Sequence, residues 1–242
     1  MNKNMTVIIT MAGLGSRFKK AGYDCPKYMI EVKGKTLFEW SMDSLLGYND
    51  IVSKYIFVVR TEDNSKEFII EKCDKYGIEN VDIVEIDCLT DGQATTCMFA
   101  IPYCNTDNAI MVYNIDTYVE PFELRYEDIE GDGYIPCFKA DGDHWSFVKI
   151  DNNGNAVEVR EKVRISDNCT LGAYYFSSAA LYEKLYSEYY SDNSNLERNE
   201  KYIAPLYNYM ISKKMAVKIG IIDFRKVHVL GTPEELDAFK EQ

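Results

Sequence analysis

The sequence predicts an α/β fold: a doubly wound, mostly parallel mixed sheet with a hairpin and helical elaboration in the C-terminal half. Two observations lead to this prediction. Short runs rich in β-branched and aromatic residues alternate with amphipathic stretches through the first half of the chain. The second half instead has a hairpin pattern followed by longer helical patterns. No repeat or linker interrupts the 242 residues, which indicates a single domain.

In the first half, predicted strands and helices alternate along the chain. Apolar runs of high β-propensity predict strands at 7–10, 55–59, 81–86 and 109–115. Apolar residues at roughly helical spacing predict helices at 37–46, 66–76 and 94–101. This alternation favours a parallel sheet with helices on both faces.

In the second half, the clearest signal is a hairpin. Residues 146–150 and 156–159 alternate apolar and polar side chains on either side of the turn 151–155. Further strands are expected at 172–176 and 217–222, and helices at 179–190, 203–213 and 233–240. Thr232 is the expected N-cap of the last helix.

Composition excludes several classes of partner. The chain has 27 basic and 39 acidic residues and a net charge of −12, so it repels nucleic acid and anionic membranes. Seven cysteines without a C-x-x-C pair argue against a zinc site or a disulfide framework and suit a reduced cytosol. No segment reads as a signal peptide or a membrane span, so we expect a cytoplasmic protein.

A glycine-containing turn after the first predicted strand is a candidate phosphate-binding site. The turn consists of Ala12, Gly13, Leu14, Gly15, Ser16 and Arg17. Glycine allows backbone amides to approach an anion closely, although a tight structural turn would explain G-x-G alone. Phe18 stands where a dinucleotide fingerprint has its third glycine, and no G-K-[ST] follows. Arg17 and Lys27 supply a planar and a compact cation, which together suit a triphosphate.

Three features follow one another along the chain: the motif G-x-G-S-R, then Pro26-Lys27 about ten residues later, then the turn Lys33-Gly34-Lys35. Together they resemble the signature of sugar-phosphate nucleotidyltransferases. This family includes the glucose-1-phosphate thymidylyl-, uridylyl- and cytidylyltransferases, and the resemblance covers most of the chain. It implies a Rossmann-like, GT-A-like nucleotidyltransferase fold. It also implies a single domain, 1–242, with a nucleotide-binding half at about 1–120 and an acceptor-binding half at about 121–242.

The resemblance implies nucleotide-binding and catalytic residues. The turn 12–17 would hold a nucleoside triphosphate (CTP, UTP or dTTP), and Lys27 would stabilise charge on the phosphorus under attack. Thr90, Gly92 and Gln93 belong to a loop that would contact the base, whose identity stays open. The catalytic residues implied are Arg17, Lys27 and Asp116.

Asp116 follows the predicted buried strand 109–115, at the edge where open α/β sheets bind ligands. By the resemblance it is the first aspartate for Mg²⁺, the expected cofactor. The family's second aspartate lies three residues before a Thr-Pro pair, where this chain has Val229. Either Asp223 supplies the missing oxygen ligand, or the metal rests on Asp116, nucleotide and water. His228 suits Mg²⁺ poorly and is expected to be structural.

Glu161 and Lys162 end the second hairpin strand and resemble the family's E-K motif, whose lysine meets the acceptor phosphate. Gly172 resembles the glycine against which the acceptor lies. Residues 141–145 and 207–208 are further candidates to line the acceptor pocket. The acceptor implied is a sugar 1-phosphate or another small phosphomonoester.

These assignments predict nucleotidyl transfer, in which an acceptor phosphate oxygen attacks the α-phosphorus and pyrophosphate leaves. The product would be an activated nucleotide-sugar-type precursor for cell-surface polysaccharide. Two alternatives stay open. Residues 114–116 superficially resemble the D-x-D motif of a GT-A-type glycosyltransferase, and Val229 suggests a non-catalytic nucleotide-sensing domain. The helical region 179–213 is a candidate contact for a homo-oligomer.

Overall fold

A mixed sheet of ten strands forms the centre of the computed structural model, which describes residues 4–242. The strands in chain order are β1 (Met5–Thr10), β2 (Glu31–Val32), β3 (Lys35–Thr36), β4 (Val52–Arg60), β5 (Val81–Ile86), β6 (Ala109–Asn114), β7 (Thr117–Val119), β8 (Gly133–Lys139), β9 (Ser146–Ile150), β10 (Ala156–Glu161), β11 (Asn168–Thr170), β12 (Ala173–Phe176), β13 (Val217–Ile222) and β14 (Val227–Val229). The central sheet runs β10-β9-β11-β8-β12-β6-β1-β4-β5, with β13 added beside β8. Strands β2 and β3 form a small separate sheet, as do β7 and β14.

The α-helices cover both faces of this sheet. They are α1 (Ser16–Lys20), α2 (Leu37–Asp43), α3 (Lys66–Lys75), α4 (Gln93–Met98), α5 (Ala179–Tyr189), α6 (Leu206–Ser212) and α7 (Pro233–Glu241). In β1, Ile8 packs into the core under α4, α5 and α6, whereas Val7 and Ile9 pack into the core under α2 and α3. The predicted doubly wound α/β fold is therefore confirmed. Each helix described between residues 4 and 242 is too short or too polar to span a bilayer.

Strand direction divides the sheet into two regions. Strands β6, β1, β4 and β5 are mutually parallel, as the alternation of strands and helices predicts. Beyond β6 the pairing becomes mainly antiparallel, with β12 joining β6 to β8 and with the predicted hairpin formed by β9 and β10. Strand β13 returns parallel to β8.

Helix α2 holds the chain around Asp116 in place. The Ser41 hydroxyl lies 2.9 Å from the carbonyl oxygen of Ile115 and 3.3 Å from that of Thr117, and it can donate to either. These two carbonyls belong to the residues on either side of Asp116. The position of α2 therefore fixes the backbone from which the Asp116 carboxylate projects.

A buried carboxylate anchors the start of α2. Glu39 is 3% exposed and completes a capping box in which its carboxylate accepts from the Thr36 backbone N–H at 2.9 Å. Lys75 donates to its other oxygen at 2.6 Å. Burial alone would raise the pKa of Glu39, but the hydrogen bonds from Lys75 and Thr36 outweigh burial and lower it to about 2.

Replacing Glu39 with Gln should lower the free energy of unfolding at neutral pH by about 2 kcal/mol. Because the folded-state pKa lies below the ordinary value of 4.5, the stabilisation is fully present above pH 4.5 and is lost as the pH falls toward 2. Urea unfolding of both proteins at several pH values would measure this gap. A gap of constant size down to pH 2.5 would contradict the role of the charge.

Candidate active site

A cleft of about 620 Å³ opens where β1 and β6 end. Thr10, the last residue of β1, and Asn114, the last of β6, both line it, and so does Asp116. Parallel α/β sheets bind ligands at the carboxyl ends of their strands, and the volume suits a nucleotide-sized molecule. The cleft is thus the candidate active site.

The glycine-containing turn 12–17 forms one wall of this cleft. Ala12, Gly13, Leu14 and Arg17 line it, while Gly15 adopts a left-handed conformation (φ +61°) and Ser16 starts α1. Within the part of the chain that the structure describes, the backbone N–H groups of residues 12–17 have no hydrogen-bond partner. A run of unpaired amides on a concave wall is suited to binding an anion.

Two cations lie beside this turn. A Cβ atom placed on Gly15 would lie 4.0 Å from the Lys27 Cβ, so the turn and the Pro-Lys segment are adjacent. The Lys27 ammonium donates to Asp116 Oδ2 at 2.6 Å, although the two residues are 89 positions apart. The exposed Arg17 guanidinium makes no ion pair with the residues between 4 and 242. The structure therefore brings all three predicted catalytic residues to one cleft.

The loop that precedes α4 forms another part of the cleft wall. Thr90, Gly92 and Gln93, which the resemblance assigns to a base-contacting loop, all line the cleft. The Gln93 amide donates to Thr10 Oγ1 at 3.1 Å and to the side-chain oxygen of Asn114. These bonds tie the loop to the ends of β1 and β6.

Lys201, which the sequence analysis did not identify, ties the same loop to the C-terminal half. Its backbone N–H donates to the Asp91 carbonyl at 2.7 Å, and its carbonyl accepts from the Ala94 N–H at 3.0 Å. Its ammonium lies 2.8 Å from Asp91 Oδ2. Burial would raise the pKa of Asp91, but the hydrogen bonds from Lys201 and Thr95, together with the charge of Lys201, lower it. The next residue, Tyr202, lines the cleft.

The predicted acceptor residues line the same cleft. Glu161, Lys162 and Gly172 all line it, together with Trp145 from the segment 141–145. The Lys162 ammonium lies 3.5 Å from Glu161 Oε1. It also lies 5.2 Å from the centre of the Tyr202 ring, so an aromatic side chain from outside the hairpin helps to position it. The candidates 207–208 do not line the cleft, because Tyr207 is fully buried in the core and Asn208 hydrogen-bonds the Val159 backbone.

Gly172 lies against Asn114 at the end of β6. It adopts φ +84°, and a Cβ atom there would lie 2.7 Å from the Asn114 Cγ. The Asn114 backbone N–H donates to the Gly172 carbonyl at 3.0 Å. Since Asn114 also accepts from Gln93, a continuous chain of contacts runs from the base loop to the acceptor side.

The cleft also offers oxygen ligands for a divalent cation. Asp116 presents a carboxylate, and Oε2 of Glu235 is buried without a hydrogen-bond partner among the described residues. Residues 4–242 contain no group of three or more His, Cys, Asp or Glu side chains placed to hold a metal ion. Mg²⁺ that arrives with phosphates needs only one or two protein carboxylates, so these two side chains fit such an ion.

Asp223, the other predicted metal ligand, is not among the cleft residues. It lines a separate pocket of about 280 Å³ with Phe122 and Arg125, and its carboxylate pairs with Arg225. His228 stacks on Tyr118 with ring centres 5.2 Å apart, and burial lowers its pKa. His228 therefore packs against an aromatic ring, and its structural role stays a prediction.

Comparisons with known proteins agree with this architecture. No family model matches the chain. The crystal structure of the nucleoside-diphosphate-sugar pyrophosphorylase from Vibrio cholerae RC9 is 37% identical, covers 98% of this chain and 100% of that chain, and has a TM-score of 0.90. The inositol-1-phosphate CTP transferase from T. maritima shares the fold at 18% identity, with coverage of 99% and 94% and a TM-score of 0.78.

A curated sequence shows a local match. The "Probable UDP-N-acetylglucosamine pyrophosphorylase" of Encephalitozoon cuniculi (strain GB-M1) is 42% identical over 53 residues. The match spans 22% of this chain and 14% of that protein.

Proposed function

Because the chain belongs to the sugar-phosphate nucleotidyltransferase family, as its 37% identity over the whole of the Vibrio cholerae pyrophosphorylase shows, we propose that it transfers a nucleoside monophosphate from an NTP to a small phosphomonoester. The observation that supports this proposal is one cleft lined by two groups of cations and hydrogen-bond donors. The unpaired amides of the turn 12–17 with Arg17 and Lys27 form the first. Lys162 forms the second.

The nucleotide lies along the turn and the base loop. Amides 12–17 and the Arg17 guanidinium bind the triphosphate, because both are donors without protein partners. Thr90, Gly92 and Gln93 border the base. The nucleotide is CTP, UTP or dTTP, and residues 1–120 form the nucleotide-binding half.

Transfer is an in-line displacement. A phosphate oxygen of the acceptor bonds to the α-phosphorus while the bond from that phosphorus to the pyrophosphate oxygen breaks, and pyrophosphate leaves with the electron pair. Lys162 holds the acceptor phosphate, and Lys27 neutralises charge on the α-phosphate. Gly172 leaves room for the acceptor. The chain therefore acts by orientation and charge neutralisation, without a covalent intermediate.

Magnesium is the proposed cofactor, with Asp116 as its ligand. When bound, Mg²⁺ neutralises phosphate charge and orients the triphosphate. The Lys27 ammonium lies 2.6 Å from the Asp116 carboxylate. This proximity supports a metal site beside the proposed phosphate-binding residues.

The acceptor half, residues 121–242, would take a sugar 1-phosphate or a related phosphomonoester. The product is then a nucleotide-sugar-type precursor for cell-surface polysaccharide, made in the cytoplasm. The aromatic rings of Trp145 and Tyr202 and the Glu161 carboxylate support a polar organic acceptor, because they offer both stacking surface and hydrogen-bond acceptors. The same proposal includes a homo-oligomer whose subunits contact one another through the helical region 179–213.

A pyrophosphate-release assay tests the proposal. Each common NTP is mixed with Mg²⁺ and each member of a panel of sugar phosphates and other phosphomonoesters, and we expect one combination to release pyrophosphate in proportion to acceptor consumed. Nucleotide binding without release for any acceptor would indicate a nucleotide sensor. Cleavage of a nucleotide-sugar donor without pyrophosphate release would indicate a glycosyltransferase.

A further inference from the structure

Val229 leaves the candidate metal site with one aspartate fewer than the family pattern provides. Val229 is half-buried, lines the cleft and pairs with Thr117 in the β7–β14 ladder. Its apolar side chain cannot bind a cation. A second carboxylate therefore has to come from elsewhere, if the cation is to have one.

The chain after β14 brings Glu235 to Asp116. The Leu230 N–H donates to the Asp116 carbonyl at 2.8 Å, which places Gly231 directly beside that residue. A Cβ atom on Gly231 would lie 3.2 Å from Asp116 Oδ2 and 3.6 Å from Glu235 Oε2. Oxygens of both carboxylates thus converge on the small space that the absent side chain of Gly231 leaves open.

Helix capping does not account for the position of the Glu235 side chain. Thr232 caps α7 by accepting from the Glu235 N–H at 3.2 Å, as Thr36 does for Glu39 in α2. In α2 the glutamate returns the bond to the threonine backbone, which completes the capping box. In α7 that return bond is absent, and Glu235 Oε2 is buried without a partner among the described residues.

An unpartnered carboxylate oxygen is costly in a water-excluded site unless a cation binds it. The only cation paired with either acid in the described chain is Lys27, which contacts Asp116. Asp223 does not compete for the role, since it lies in another pocket and pairs with Arg225. The two carboxylates that converge beside Gly231 and the unpartnered oxygen of Glu235 both indicate a binding place for a cation.

We propose that Glu235 is the second carboxylate ligand of the divalent cation that Asp116 holds, taking over the role that the Val229 position has in the family. This proposal rests on the proposed function, because it requires a metal-bound nucleotide in the cleft. It explains why residue 231 is glycine: a side chain there would occupy the space between the two carboxylates. It also explains how the chain tolerates valine at position 229.

The test is a metal titration of nucleotide binding on the full chain. Calorimetry with CTP, UTP and dTTP, without acceptor, gives nucleotide affinity at increasing Mg²⁺ and hence the Mg²⁺ concentration for half-maximal effect. We expect Glu235→Gln to raise that midpoint at least about tenfold without weakening metal-free binding in EDTA. Glu234→Gln is the matched control, because Glu234 is the exposed neighbour in the same helical turn and carries the same charge.

Each outcome decides the proposal. An unchanged midpoint for Glu235→Gln, or an equal shift in Glu234→Gln, overturns the role of Glu235 and leaves the proposed function intact. No metal-dependent binding of CTP, UTP or dTTP to the wild type overturns both. The double variant Val229→Asp/Glu235→Gln should restore the wild-type midpoint, and it tests the same assignment if Glu235→Gln alone unfolds at a lower temperature.

Discussion

Replacing Lys27 with Ala is expected to lower turnover roughly 100- to 1,000-fold while weakening nucleotide binding only a few-fold. The turn 12–17 and Arg17, which are the proposed triphosphate-binding groups, remain in the variant. What is lost is the ammonium that lies 2.6 Å from Asp116, where negative charge increases as the acceptor approaches the α-phosphorus. Pyrophosphate release with the active substrate pair gives turnover, and calorimetry gives nucleotide affinity.

Lys19→Ala is the control for this measurement. Lys19 is exposed on the adjacent helix α1 and does not line the cleft, so its removal lowers the net positive charge nearby without changing the site. We expect it to leave both quantities within about twofold of the wild type. Equal losses of turnover and affinity in Lys27→Ala would contradict a role in the transfer step, since they indicate uniform binding.

Replacing Gly92 with Ala is expected to lower the free energy of unfolding by about 3 kcal/mol and nucleotide affinity by at least about tenfold. Gly92 has φ +142° and ψ 172°, a conformation essentially restricted to glycine. A Cβ atom would lie 2.6 Å from the backbone N of Lys201 and closer still to its carbonyl oxygen. The loop would have to separate from Lys201, which displaces Thr90 and Gln93.

The variant Gly154→Ala is the control that distinguishes backbone strain from steric overlap at Gly92. Gly154 also has a positive φ, +77°, but a Cβ atom there meets nothing within 4 Å. We expect a loss of only about 1 kcal/mol and unchanged nucleotide binding, because the hairpin turn lies outside the cleft. Thermal or urea unfolding and calorimetry on both variants give the comparison. Similar effects in the two variants would show that backbone strain alone accounts for the loss at Gly92.

The sequence predicted the first half of the sheet well because apolar runs in β1, β4 and β6 alternate with helical patterns along the chain. It did not predict β8, although this strand pairs on both edges. Pro136 lies in the middle of β8, and proline ordinarily argues against an internal strand. Here one edge of β8 pairs with β12 up to Tyr134 and with β11 from Cys137 onward, so Pro136 falls where the partner changes.

Some residues of the candidate site could likewise be predicted from the sequence, and others could not. Arg17, Lys27 and Asp116 could be identified from motifs and their order along the chain, and the structure brings them to one cleft. Lys201 and Glu235 could not be identified, because their contacts depend on segments far apart in sequence. In sequence, an acidic residue three positions after Thr232 is typical of a capping box. Only the tertiary structure shows that its carboxylate turns toward Asp116.

The double backbone bridge between Lys201 and the loop around Gly92 limits how this enzyme can diversify. Under the proposed function, Tyr202 borders the acceptor, and its chain neighbour Lys201 holds the loop that would contact the base. Substitutions that enlarge the pocket near Tyr202 would then also shift that loop and alter the choice of base. Descendants of this chain would have to change both preferences in concert, through paired mutations on the two segments.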